Sequence, residues 1–74
     1  MYYAIVARPL GTTTETVIRQ DGTIPLEKIN DPRIMRLYAK GNIIKVTENN
    51  FTFDATVICV NKMYEHNRVV VLVS

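Results

Sequence analysis

The sequence predicts an α+β fold: about five antiparallel strands forming a curved sheet or a small barrel, with one short helix over residues 32–40 packed on it. Three observations predict this. Runs rich in β-branched and aromatic residues recur between turn residues. A single segment carries both helix start and stop residues with apolar spacing of 3.6. No repeat, linker or low-complexity tract divides the 74 residues, so they form one domain, 1–74.

The elements follow in chain order. Tyr2 to Arg8 is apolar and aromatic and stops at Pro9, where a ladder donor disappears, so it reads as a strand. Leu10-Gly11-Thr12 turns the chain. Thr13 to Arg19 is β-branched and is followed by Asp21-Gly22, a two-residue hairpin turn leading to a third strand stub at Thr23-Ile24. Leu26 and Ile29 stand three apart, which suits a single helical turn between Pro25 and Asn30. Asp31 is a good N-cap, Pro32 suits the first helical position and Gly41 suits the stop, which places the helix at Pro32 to Lys40. Ile34, Leu37 and Tyr38 fall on its packing face, with Met35 at the flank.

Ile43 to Glu48 and Phe51 to Lys62 form a hairpin around Asn49-Asn50, a pair that tolerates positive φ. Alternation puts Phe51, Phe53, Ala55, Val57 and Cys59 on one face of the long strand, which makes Cys59 a buried structural residue. Met63 to Asn67 is a loop. Arg68 to Val73 leaves neither face polar, so both of its faces must be covered. The series Lys40-Gly41-Asn42-Ile43-Ile44-Lys45-Val46, Phe53-Asp54-Ala55-Thr56-Val57 and Asn67-Arg68-Val69-Val70-Val71 resembles the three-strand rhythm of small SH3-like barrels. That resemblance covers less than half the chain, includes no residue with a dedicated chemical role, and implies a fold only.

A chain this short hides roughly 60% of its unfolded surface, and its stability should be roughly 4 to 11 kcal/mol. Apolar residues make up 47% and charged residues 22%, a globular balance rather than a disordered one. The net charge of +2 is too small for nucleic-acid binding by long-range attraction, so only local charge arrangement can matter. Cys59 is the sole cysteine, which rules out an internal disulfide and favours a reducing, cytoplasmic setting. Residues 1–8 lack the basic and long apolar regions of an export signal, and no run approaches the ~20 apolar residues of a membrane span.

The chemistry-bearing residues are sparse. With His66 and Ser74 as the sole histidine and serine, a serine triad has no basis, and a Cys59/His66 dyad is separated along strand and loop. One cysteine and one histidine supply no zinc site, and the seven carboxylates are scattered singly. Gly11-Thr12-Thr13-Thr14 lacks the lysine of a phosphate loop and reads as a turn. No catalytic residue, metal ligand or cofactor is therefore expected.

The surface remains. Arg33, Arg36 and Lys40, at i, i+3 and i+7, make a positive stripe along a helix, suited to an acidic partner or to phosphates, although a solvated face commonly carries such charges. The last strand, through Arg68, Val69, Val71 and Val73, could be a sheet edge that pairs with a partner or makes a homodimer. Lys45, Lys62, Tyr64 and Arg68, near Phe51 and Phe53, form the aromatic-plus-basic mixture that stacks single-stranded bases. The expectation is a non-enzymatic protein-binding module, a small adaptor or inhibitor of a cellular protein, of a kind frequent among virus-encoded regulators of host proteins. The alternative is a nucleic-acid-binding domain that uses the basic helix stripe, alone or as a dimer.

Overall fold

The computed structural model describes residues 1–18 and 24–74. Six strands occur among them: β1 (Tyr2–Pro9), β2 (Thr16–Val17), β3 (Ile24–Pro25), β4 (Ile43–Glu48), β5 (Phe51–Met63) and β6 (Arg68–Val73). One short helix, α1 (Pro32–Met35), precedes β4, and 3₁₀ turns occupy Leu26–Lys28, Arg36–Tyr38 and Tyr64–His66. The sheet order is β2-β1-β6-β5-β4, with β3 on the same edge of β1 as β2. The sheet curls until β2 approaches β4, so it is a nearly closed small α+β barrel, as the strand rhythm predicts.

Most pairings are antiparallel, but β1 and β6 run parallel, with Ala4 opposite Arg68 and Pro9 opposite Val73. The expected all-antiparallel sheet is corrected to a mixed one. Hairpin turns dictate the direction of neighbours joined by short loops, whereas no local residue dictates the direction of strands about sixty positions apart.

The same pairing corrects the placement of the last strand. β6 is bonded to β1 on one side and β5 on the other, so Arg68, Val69, Val71 and Val73 form no sheet edge. Val69, Val71 and Val73 point into the barrel and are fully buried. Val70 is buried too, beside Val6, yet both lie outside the interior cluster and on the barrel's outer face. The need for cover on both faces of this strand is therefore met. The interior is filled chiefly by Tyr3, Ile5, Ile24, Ile29, Tyr38, Val46 and Val57.

The hairpin between β4 and β5 forms as predicted: Asn49 and Asn50 have φ of 52° and 64°, and Glu48 faces Phe51. A bulge then alters the long strand. Val57 faces Val73 and Cys59 faces Leu72, so Ile58 is an extra residue and the alternation inverts after it. Ala55 and Val57 point inward before the bulge and Val60 packs inward after it, while Cys59 is exposed, correcting its expected burial. Phe51 shares the strand face of Ala55 and Val57, on which alternation predicts burial, yet it is 66% exposed, because it lies where β5 extends beyond the interior cluster.

The second strand shrinks from the predicted 13–19 to Thr16–Val17, and the Asp21-Gly22 turn lies outside the described residues. The helix begins as predicted, since Pro32 opens it and the Asp31 carboxylate accepts a 2.8 Å bond from the Arg33 amide. It is shorter than 32–40. After Met35 it tightens into a 3₁₀ turn ending at Tyr38, and Ala39 is already extended. The Asn42 side-chain amide donates at 2.9 Å to the carbonyl of Arg36, which also accepts from the Ala39 amide, and to that of Leu37, so the last acceptors of the helical segment are satisfied.

Candidate functional site

The changed helix geometry breaks up the predicted cationic stripe. Arg33 lies on α1 and reaches back to Asp31 at 3.6 Å, Arg36 opens the 3₁₀ turn, and Lys40 lies beyond the helical segment in the turn that leads to Gly41. All three are exposed, but they do not share a helix face. A stripe at i, i+3 and i+7 requires 100° per residue throughout, and the chain keeps that rotation only to Met35.

The tightening has a second effect. It turns Tyr38 into the barrel and leaves Leu37, expected on the packing face, 53% exposed. Leu37 then forms one lip of a groove between the helical segment, the start of β4 and the end of β2. Ile43, 69% exposed, lies along the same groove, and Ile18, Ile44 and Tyr38 line it below. Its volume is about 460 Å³. Arg36 and Lys45 stand at its rim together with Asn42. Lys45 pairs with Asp54 at 3.0 Å, whereas Arg36 and Lys40 have no carboxylate partner among the described residues.

The outer edge of β4 borders this groove. In a two-residue hairpin the closing pair, Glu48 and Phe51, exchanges ladder bonds, and bonded and non-bonded pairs alternate from there. Glu48, Val46 and Ile44 therefore turn their backbone groups toward β5. Thr47, Lys45 and Ile43 turn theirs away, and these outward groups make no backbone hydrogen bond among the described residues. β2 approaches this edge without a ladder.

The other predicted residues are dispersed. Lys62 and Tyr64 both bond the Asn30 side-chain oxygen, and the Tyr64 ring meets Tyr3 edge-on at 5.5 Å, closing one end of the barrel. Arg68 is paired with Glu15. Lys45 sits opposite Asp54 on β5, eight residues from Lys62, so these side chains do not gather around the stacked Phe51 and Phe53. Cys59 and His66 belong to β5 and to the following 3₁₀ turn.

The groove was missed in the sequence, although Ile43-Ile44 carried a signal. A strand sends adjacent side chains to opposite faces, so one of two neighbouring isoleucines must leave the core. No family profile matches the chain, and neither the curated proteins nor the solved structures contain a match to it.

Proposed function

We propose that this chain is a non-enzymatic protein-binding module, an adaptor or inhibitor, that docks a protein partner in the groove between Leu37 and Ile43. The supporting observation is the combination at that groove: two exposed aliphatic lips and a cationic rim that includes Arg36, which has no carboxylate partner among the described residues. Exposed apolar side chains grouped in a concavity offer burial energy, at roughly 25 cal/mol per Å², that scattered ones do not. The charges at the rim add orientation and partner choice more than affinity. A surface thiol at Cys59 suits a reducing compartment, and the cytoplasm is the setting this reading implies.

The nucleic-acid alternative draws on the exposed Phe51, stacked on Phe53 with centroids 6.1 Å apart. Its surroundings weigh against it. Glu48 is the cross-strand partner of Phe51, and nearby Lys45 is already engaged by Asp54. A phosphate backbone following that aromatic pair would meet a carboxylate first.

The test is affinity capture from an extract of the source cells, with and without nuclease, using the native chain and a Leu37→Ser/Ile43→Ser variant. Both positions are exposed, so the variant should fold. The expected result is a protein retained after nuclease and lost with the variant. Retention that disappears with nuclease, or is indifferent to the variant, overturns the proposal.

A further inference from the structure

We propose that the open edge of β4 receives one extended, acidic strand of the partner protein, so that binding at the groove proceeds by strand addition. This rests on the groove being the docking surface and specifies how it is used. Ile43, Lys45 and Thr47 present amides and carbonyls along one line, unbonded among the described residues. Such a line is a template for a further strand. Among the described residues β2 spans only two and forms no ladder with this six-residue edge.

The charge of the groove selects the occupant. An incoming strand would lie beside Arg36, which has no carboxylate among the described residues, whereas Lys45 has Asp54, so an acidic side chain on that strand completes the rim at Arg36. A second copy of this chain fits poorly. Two β4 edges that pair through all three outward residues must do so antiparallel about Lys45, which sets one lysine directly against the other. The apolar requirement is set on the other face of the edge, where Ile44, Ile18 and Tyr38 line the groove, while Lys45 lies on the outer face. The ligand class is therefore an extended segment in which acidic and aliphatic residues alternate.

The experiment uses a capped octapeptide of alternating Glu and Val, with a Lys-Val octapeptide as the counter-probe, titrated into isotopically labelled protein and followed by amide shifts and hydrogen exchange. The Glu-Val peptide should shift and protect the Ile43, Lys45 and Thr47 amides, and the Lys-Val peptide should not. Thr47→Pro removes one outward donor without touching the ladder to β5, and should weaken binding about tenfold, while Thr47→Val should bind as the native chain does. Circular dichroism checks that both variants fold.

If Leu37→Ser abolishes binding but Thr47→Pro leaves it intact, strand addition is overturned and the groove reading survives. If neither substitution matters, both fail. A dimer seen by sedimentation and dissolved by Thr47→Pro would replace the acidic partner with a second copy and overturn the proposal.

Discussion

Replacing Glu15 by Ala should destabilise the protein far more than its position in a surface loop suggests. Glu15 pairs with Arg68, whose side chain is 37% exposed while that of Glu15 is 19% exposed. By register, Arg68 lies beside Ala4 on β6, and Glu15 precedes the Thr16 that faces Ala7. The two side chains therefore meet across the outer face, above Val6 and Val70, both of which are buried. Arg68 Nε is also shut off from solvent, without a hydrogen-bond partner among the described residues. Breaking a fully buried pair costs about 3 to 5 kcal/mol and an exposed one about 0.2 to 1. A pair that keeps about a third of its arginine wet belongs between these, at about 1 to 2 kcal/mol. For a domain of this size that lowers Tm by about 4 to 15 °C.

The assay is urea unfolding of Glu15→Ala, Arg68→Met and the double variant, analysed as a thermodynamic cycle. The coupling energy should be about 1 kcal/mol. Arg68→Met should cost less than Arg68→Ala, because the methionine still covers Val6 and Val70 as the arginine stem does. A Glu15→Ala cost below about 0.5 kcal/mol with zero coupling would refute the reasoning and reduce the pair to an ordinary surface contact.

Two further outcomes are expected. Asn50, at φ of 64°, should accept glycine with no loss or a gain of up to about 1 kcal/mol, whereas Asn50→Val should lose about 1 to 2 kcal/mol, measured by the same unfolding midpoint. Because the bulge at Ile58 turns Cys59 outward, the thiol should react fully with a chromogenic disulfide reagent in the native protein, and Cys59→Ser should change stability by less than about 0.5 kcal/mol; a thiol that reacts only in denaturant would contradict the bulge.

Features encoded by neighbouring residues were legible in the sequence. The Asn49-Asn50 turn, the Asp31-Pro32 helix start, the single turn near Leu26 and the composition of β1 and β6 all follow from conformational preferences acting over two to six residues. The candidate site was far less legible. Arg36 and Lys45 were singled out as cations, but their place beside a groove with Leu37 and Ile43 depends on elements that meet only in the folded chain.

The sequence alone determined which segments extend, where they turn and which of them need cover on both faces, because β-branched side chains, asparagine pairs and caps act locally. Tertiary structure decided the parallel pairing of β1 with β6, the inversion of alternation at Ile58, the 3₁₀ tightening that exposes Leu37, and the choice of β4 rather than β6 as the open edge. Each of these depends on closing a curved sheet around one small interior. Register, handedness and vacancies at an edge are settled by fitting all strands to one another, and no single segment carries that information.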